Sequence, residues 1–451
     1  MSNLFLLFIV VSAVALLLFM VLKLKISAFI SLLITAIYVG IAAGMPLNNV
    51  VKSIQDGMAG TLGFVATVVG LGAIFGQMLE SSGGAESLAH HLVKKFGTDR
   101  ASWAMVITGF VVSIPVFLDV GFIILVPIIY ALSRDTKRSL LYYAIPLLAG
   151  MAVTHSFIPP TPGPVAVADI INAQLGWVIL FGVILGFPTA VIAGPLWGKY
   201  ISKKIYLEPP FDFDKKPLDT NIKDYPPFKM IAIIISIPLI LILVNTFTGL
   251  AVSKGIVGKS VWTDTLEFIG HPFSALIIAT LIATWFLCIR RGIDKQKIVD
   301  LSTKALGPAG IIILITGAGG VLKQVLVESG IGSIMAESMA NSAMPPILLA
   351  WLLSAVVRVT QGSATVAMIT AAGIIAPVLN ELGLNDPQRA LVVLAIASGA
   401  TLLSHVNDSG FWLVGKYLGM NEKQTLQSWT VMESIIAVCG LAFTLLASLF
   451  F

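Results

Sequence analysis

Long apolar stretches follow one another along almost the whole chain, separated by short polar or charged segments. A helix of roughly 20 apolar residues crosses about 30 Å of hydrocarbon, because each residue adds about 1.5 Å. The stretches that meet this length, and that we predict to be full spans, are 4–22, 26–44, 61–79, 139–175, 176–197, 228–246, 271–289, 307–327, 388–420 and 426–451. The pattern predicts an all-α polytopic membrane protein.

Two further apolar stretches are interrupted midway by polar residues, Gly or Pro. They cover 101–133, with its break between Ser113 and Gly121, and 345–382, with its break between Thr360 and Ser363. The internal repeat described next favours hairpins here, and treating either stretch as two full spans would invert the downstream loops and spoil the positive-inside bias. We therefore predict two re-entrant hairpins, each of which enters and leaves the membrane on the same side.

An internal repeat organises these segments. Residues 70–83 align without gaps on residues 317–330, and six positions are identical. Each half then holds about five transmembrane helices plus one re-entrant hairpin, and an odd number of spans turns the second half upside down. The sequence predicts two inverted repeats, 1–202 and 230–451, joined by a hydrophilic cytoplasmic linker over 203–229.

Charge supports this topology. Hydrophobic residues make up 57% of the chain and charged residues 11%, a balance that excludes an ordinary soluble domain. If both termini lie outside, most Lys and Arg residues fall in cytoplasmic segments, as the positive-inside rule requires. The formal net charge of +5 is therefore explained by membrane topology, and we expect no nucleic-acid partner.

Four helix breaks mark the predicted binding site: 113–121, 155–163, 361–365 and 404–410. Non-helical backbone at membrane depth is tolerated only where protein or a water-filled cavity covers it. A helix that begins after such a break presents free N–H groups and the positive end of its dipole, which suit a carboxylate. The predicted substrate-binding residues are Ser113, Thr154, His155, Pro160, Thr161, Gly163, Gly362, Ser363, Thr365, His405, Asn407 and Ser409.

The motifs at these breaks resemble the gluconate permease family, the gluconate:proton symporters of the ion-transporter superfamily. The resemblance covers nearly the whole chain, and its motifs are 60–63, 317–320, 362–366, 404–412 and the Pro-Pro-Thr-Pro-Gly segment 159–163. It implies import of gluconate or a related small sugar acid with protons, across the inner membrane of a bacterium. It also implies a substrate site between two hairpin tips and two unwound helices, and a homodimer. One branch of the family carries D-serine.

Ionisable residues at membrane depth are functional candidates by default. Asp119 and Asp408 are the carboxylates at the breaks, and His155 and His405 could relay protons near neutral pH. The apolar neighbours of Asp119 would favour its neutral form, so it leads among the predicted proton-coupling residues. In the alternative, these four side chains simply cap broken helix ends.

Three further ionisable side chains lie in predicted spans or hairpins. Glu433 is a carboxylate inside the last predicted span, and Arg358 and Lys323 could attract a substrate carboxylate or pair with Glu328. Each of them thus has both a functional and a structural interpretation.

Two rival functions compete with a proton-coupled carrier. A passive anion channel would need no alternating access. Inverted repeats with broken helices favour alternating access, and therefore a carrier. An intramembrane enzyme would need a nucleophile, a base and an oxyanion site, and the sequence offers no such set. We expect no enzyme activity, no metal and no cofactor other than the coupling proton. The expected partners are a small carboxylate substrate and the lipid bilayer.

Overall fold

The computed structural model describes residues 3–97, 100–209, 225–340 and 344–451, and these residues form helices joined by short turns, with no strand among them. The helices of the first half are α1 (Asn3–Leu22), α2 (Ala28–Ala42), α3 (Leu47–Ser81), α4 (Gly84–Phe96), α5 (Ala101–Val112), α6 (Leu118–Thr136), α7 (Leu141–Phe157), α8 (Pro162–Ile170), α9 (Leu175–Val191) and α10 (Trp197–Lys204). A π-helical turn, Ile192–Leu196, joins α9 to α10.

The second half follows a similar order of long, short and interrupted helices. It contains α11 (Phe228–Ser253), α12 (Val261–Gly270), α13 (Pro272–Ala283), α14 (Lys295–Glu328), α15 (Ile331–Ala340), α16 (Pro346–Gln361), α17 (Ala364–Glu381), α18 (Asp386–Gly399), α19 (Ser409–Tyr417), α20 (Glu422–Thr425) and α21 (Val431–Ser448). Its π-helical turns are Thr284–Cys288 and Leu426–Thr430, and Ile289–Arg291 is a 3₁₀ turn. The centre of the predicted linker, 210–224, lies outside the described residues.

The prediction of an all-α membrane protein is confirmed. Within the described ranges, eight helices are long and apolar enough to cross a membrane by length and composition. Large apolar side chains are exposed on α1 and on three of these helices, α11, α13 and α14: Phe8, Ile233, Leu281 and Ile311 are each more than 60% exposed. Exposed apolar surface on this scale is expected where a protein meets lipid.

Each segment predicted as a hairpin consists of two helices joined by a short non-helical tip, and its re-entry on one side of the membrane stays a prediction. The tip between α5 and α6 covers residues 113–117, and the tip between α16 and α17 covers 362 and 363. The breaks inside the predicted spans 139–175 and 388–420 are also present, since α7 and α8 flank residues 158–161 and α18 and α19 flank residues 400–408.

The structure differs from the prediction in three respects. The helices α3 and α14 begin earlier than predicted and contain 35 and 34 residues, so each is about 50 Å long and exceeds the hydrocarbon thickness. The segment 388–420 is two half-helices, neither of which is long enough to cross the bilayer alone. Three short helices, α4, α12 and α15, were absent from the prediction because they lack a long apolar run.

The helices α3 and α14 make the most extensive contact among the described elements. They cross where both helices carry glycine: a Cβ atom added to Gly57 would lie 2.8 Å from the Gly320 carbonyl oxygen. Small residues at the crossing allow two helix backbones to approach this closely. The crossing brings the two halves of the chain together.

Candidate functional site

The second hairpin tip turns at Gly362. This residue ends α16 in the left-handed conformation, with φ of +89°. A Cβ atom at Gly362 would collide with the Asn407 carbonyl group, so the tip and the 400–408 break touch through backbone. Glycine is required here both for the conformation and for the close approach.

The break caps the end of α16. The carbonyl groups in the last turn of a helix have no partner within the helix. His405 Nε2 lies 2.9 Å from the Val359 carbonyl oxygen. Asn407 Nδ2 donates to the carbonyls of Val359, at 3.0 Å, and Thr360, at 3.3 Å. In this conformation the side chains of His405 and Asn407 hold the tip and the break together.

A buried salt bridge fastens the same contact. The Arg358 guanidinium, 3% exposed, donates through Nη2 to Asp408 Oδ2 at 2.6 Å. Its Nη1 donates to the Gly362 carbonyl, while its buried Nε has no hydrogen-bond partner among the described residues. Breaking a buried pair of this kind strands one charge and typically costs about 3–5 kcal/mol. The ion pair with Arg358 therefore holds Asp408 at the hairpin tip.

Asp408 also caps the start of α19. Its Oδ1 accepts from the Gly410 N–H at 3.0 Å, and Ser404 Oγ donates to its other carboxylate oxygen. An aspartate in this position satisfies orphan amide groups and complements the helix dipole. The capping interpretation of Asp408 thus matches its contacts, and its predicted role in proton coupling stays a prediction.

The network continues to the last helix. Trp429 Nε1 donates to Ser404 Oγ at 2.7 Å, and Thr430 Oγ1 donates to the Ser404 carbonyl. Both residues belong to the π-helical turn before α21, a feature that is frequent at functional sites. One turn further on, Glu433 is 3% exposed.

Several polar groups at this tip remain accessible. Ser363 caps α17 through its hydroxyl, which accepts from the Val366 N–H at 3.4 Å. Ser363 and Thr365 are partly exposed, and Asn407 and Ser409 are exposed. The structure thus brings Gly362, which precedes α17, against Asn407, which precedes α19, and leaves hydroxyl and amide groups open around this contact.

The first hairpin tip packs against α3. A Cβ atom at Gly76 of α3 would overlap the Pro115 carbonyl group at the tip. Ser113, predicted as a substrate ligand, is fully buried, and its Oγ donates to the Val116 carbonyl at 3.2 Å. Asp119 lies in the first turn of α6 and its side chain is exposed rather than enclosed by apolar neighbours.

The break between α7 and α8 faces this tip. It contains the cis peptide Pro159-Pro160, and Thr161 Oγ1 donates to the Ile158 carbonyl at 2.6 Å. Prolines end α7 here because they lack the N–H group that a helix needs. A cavity of about 10 Å³, roughly one water molecule, lies between the two breaks. Its lining includes Gly72, Pro115, Phe117, Pro160 and Thr161.

The two histidines differ in their surroundings. The His155 ring lies 6.1 Å from the Phe117 ring, edge to face, and its buried Nδ1 has no hydrogen-bond partner in the part of the chain that the structure describes. His405, in the corresponding place of the other half, is hydrogen-bonded. Thr154, next to His155, is fully buried and donates to the Phe110 carbonyl at 2.9 Å, so it serves the packing of α5 on α7.

Helix contacts link the two tip–break pairs. A Cβ atom at Gly163, at the start of α8, would collide with Met368 on α17. On the other side, the Phe122 ring of α6 lies 6.1 Å from the Tyr417 ring of α19. Each hairpin therefore touches the helix that follows the break of the opposite half.

Two features of the site were undervalued by sequence reasoning. Arg358 was one of several possible anion-attracting residues, whereas the structure makes it the partner of Asp408. Asp169 and Lys323, on α8 and α14, interact electrostatically in a second place, and Asp169 was not singled out. For Arg358 and for Asp169 alike, the signal in the sequence was a single charged residue within an apolar stretch. The described residues contain no group of three His, Cys, Asp or Glu side chains that could hold a metal ion.

Comparison with known proteins identifies the family. The family model described as GntP family permease matches residues 4–450. The chain is 42% identical over 429 residues to a gluconate permease of Pseudomonas aeruginosa, covering 95% of this chain and 94% of that protein. It is 40% identical over 440 residues to the low-affinity gluconate transporter of Escherichia coli K12, covering 98% and 97%.

A solved structure has a similar fold. The YdaH transporter of Alcanivorax borkumensis aligns with a TM-score of 0.65 at 12% identity, over 92% of this chain and 96% of that one. At this identity the likeness concerns the fold alone. Taken with the family match and the membrane helices, it leads to one conclusion: the chain belongs to the GntP permease family and is an integral membrane transport protein, not an enzyme.

Proposed function

We propose that this protein imports gluconate, or a closely related small sugar acid, together with protons by alternating access. The curated relatives are named for gluconate transport. The observation that carries the proposal is the contact between the second hairpin tip and the 400–408 break. It brings two helix starts, a buried guanidinium and open hydroxyl groups to one place.

The substrate carboxylate would bind at the starts of α17 and α19. The first-turn N–H groups that the Ser363 and Asp408 caps leave free, together with the positive dipole ends, favour an anion there. The sugar hydroxyls would exchange hydrogen bonds with Ser363, Thr365, Asn407 and Ser409. His155, Pro160, Thr161 and Gly163, beside the first hairpin, would complete the site from the other half.

Transport requires the tips to separate from their breaks. The second tip is held by the Arg358–Asp408 pair, and the first rests on α3. Two inverted halves would then expose the site to either side in turn, as in other secondary transporters with inverted repeats. We propose a homodimer in the inner membrane of a bacterium, with both termini outside.

Coupling to protons needs a group that titrates during the cycle. Asp119, His155, Asp408 and His405 are the residues proposed from the sequence. Binding of a proton and of an anion would each strengthen the other by the same factor. A proton arriving near the site would lessen repulsion of the incoming carboxylate.

Proteoliposomes containing the purified protein test this function. For one proton per substrate, an inward gradient of one pH unit supports about tenfold accumulation of labelled gluconate, since tenfold corresponds to about 1.4 kcal/mol. A protonophore should abolish accumulation but leave exchange of labelled for unlabelled gluconate intact. Uptake without saturation or counterflow would indicate a channel, and preference for D-serine over gluconate would reassign the substrate.

A further inference from the structure

Glu433 is a buried carboxyl group that the predicted site did not include. Its residue is 3% exposed, and among the described residues no hydrogen bond reaches its carboxyl oxygens. Its backbone carbonyl accepts from Thr401 Oγ1 at 3.3 Å, which fixes the helix at the edge of the broken segment. An ionised carboxylate without hydrogen bonds in such a place is costly, and protonation removes that cost.

The charged neighbours of Glu433 belong to the second hairpin contact. Its helix, α21, packs against α7, α9, α16 and α18. The ionisable residues on these elements and in the break that follows α18 are Tyr142, Tyr143, His155, Arg358, Asp386, Arg389, His405 and Asp408. Of these, Arg358 and Asp408 interact electrostatically with Glu433, one by attraction and one by repulsion.

Hydrogen bonds connect the start of α21, where Glu433 lies, with the second hairpin tip. The π-helical turn that precedes α21 contacts Ser404 through Trp429 and Thr430, and Ser404 contacts Asp408. Arg358 then joins Asp408 to the Gly362 carbonyl at the hairpin tip. Four successive contacts therefore join the turn before Glu433 to the hairpin tip.

We propose that Glu433 carries the coupling proton and controls the second hairpin through Arg358. This inference rests on the proposed proton symport and names its coupling residue. With Glu433 neutral, Arg358 pairs with Asp408 alone and the tip stays on the break, as in this structure. With Glu433 ionised, two carboxylates compete for one guanidinium, whose buried Nε has no partner within the described ranges.

The proton step involves one bond. A proton from the outer phase forms an O–H bond on the Glu433 carboxylate before or with substrate binding. The same proton leaves to the cytoplasm after the substrate is released. The ionised Glu433 then draws Arg358 from Asp408, which frees the Gly362 carbonyl and loosens the tip from Asn407. Proton and substrate are thereby linked through one hairpin.

The test compares accumulation with exchange in proteoliposomes. Glu433→Gln imitates the neutral carboxyl, so gluconate exchange at equal pH should persist, whereas accumulation driven by a gradient of one pH unit should fall about tenfold, to equilibrium. Glu422→Gln is the matched control, because Glu422 is exposed at the start of the same helical segment, and it should behave like wild type.

Each outcome points one way. Proton-driven accumulation by Glu433→Gln would overturn the assignment of Glu433 and leave proton symport standing. Exchange without accumulation in the wild type would instead remove the proposed symport itself. If Glu433→Gln does not fold, as judged by its thermal unfolding in detergent, Glu433→Asp decides. Its displaced carboxyl should shift the pH dependence of uptake, and an unchanged profile would contradict the proposal.

Discussion

Position 362 requires glycine for two reasons, its backbone conformation and the space around its α-carbon. Its φ of +89° suits glycine, and its α-carbon faces the Asn407 carbonyl. The sequence indicated a break here because Gln-Gly-Ser interrupts an apolar stretch. It could not show which atoms meet the glycine, since the partner lies 45 positions away along the chain in another helix break. The sequence could not show the partner of Arg358 for the same reason, because tertiary contacts decide which carboxylate a guanidinium meets.

Replacement of Gly362 separates these two demands. Gly362→Ala should lower thermal stability and gluconate uptake. Alanine in the left-handed conformation costs about 1–2 kcal/mol of folding free energy, and its Cβ also displaces Asn407. Gly383→Ala is the matched control, since Gly383 also has positive φ, +61°, but nothing lies within 4 Å of its Cβ position. Equal losses in thermal unfolding and transport would show that the contact with Asn407 is unimportant.

Each hairpin is held at its first arm by a helix that later breaks. A Cβ atom at Gly109 of α5 would overlap the Leu147 carbonyl of α7, and one at Gly399 of α18 would overlap the Trp351 carbonyl of α16. The apolar pattern predicted both tips and both helix breaks, because polar, proline or glycine residues inside an apolar stretch are local signals. It could not predict these pairings, which depend on close approach between distant segments.

The α5–α7 contact gives a prediction at the level of elements. Gly109→Ala should destabilise the protein by about 1–3 kcal/mol, because the new methyl group meets backbone that cannot rotate away. Thermal unfolding in detergent measures the effect. Gly310→Ala, on α14, is the control: nothing lies within 4 Å there, so helix propensity alone should make it neutral or slightly stabilising. A Gly109 variant as stable as the control would rule out the tight contact.

The halves of the molecule meet in a reciprocal manner. The helix after each break, α8 or α19, packs against the second arm of the opposite hairpin, α17 or α6. The repeat between 70–83 and 317–330 predicted two related halves, and the orientation predicted from the loop charges stays a prediction. The lengths of α3 and α14 were underestimated, because charged residues such as Lys52 and Lys297 were assigned to loops although they lie on helices.

Topology is tested with single cysteines in a background in which Cys288 and Cys439 are replaced by Ser. Cysteine at Lys259, exposed after α11, should react with an impermeant maleimide added to intact cells. Cysteine at Lys204, exposed at the end of α10, should react only after permeabilisation. The difference follows from the positive-inside assignment with both termini outside. Labelling of both sites from one face would refute the inverted arrangement of the halves.

Substrate protection at the second hairpin tip tests the central claim, that a carboxylate substrate binds between helix starts. Ser409 is exposed and begins α19, so Ser409→Cys offers a thiol beside the proposed anion site. In the same cysteine-free background, gluconate should slow maleimide labelling of Ser409→Cys in a saturable manner, while labelling of Lys259→Cys should not change. Equal labelling rates of Ser409→Cys with and without saturating gluconate, in protein that still transports it, would place the binding site elsewhere.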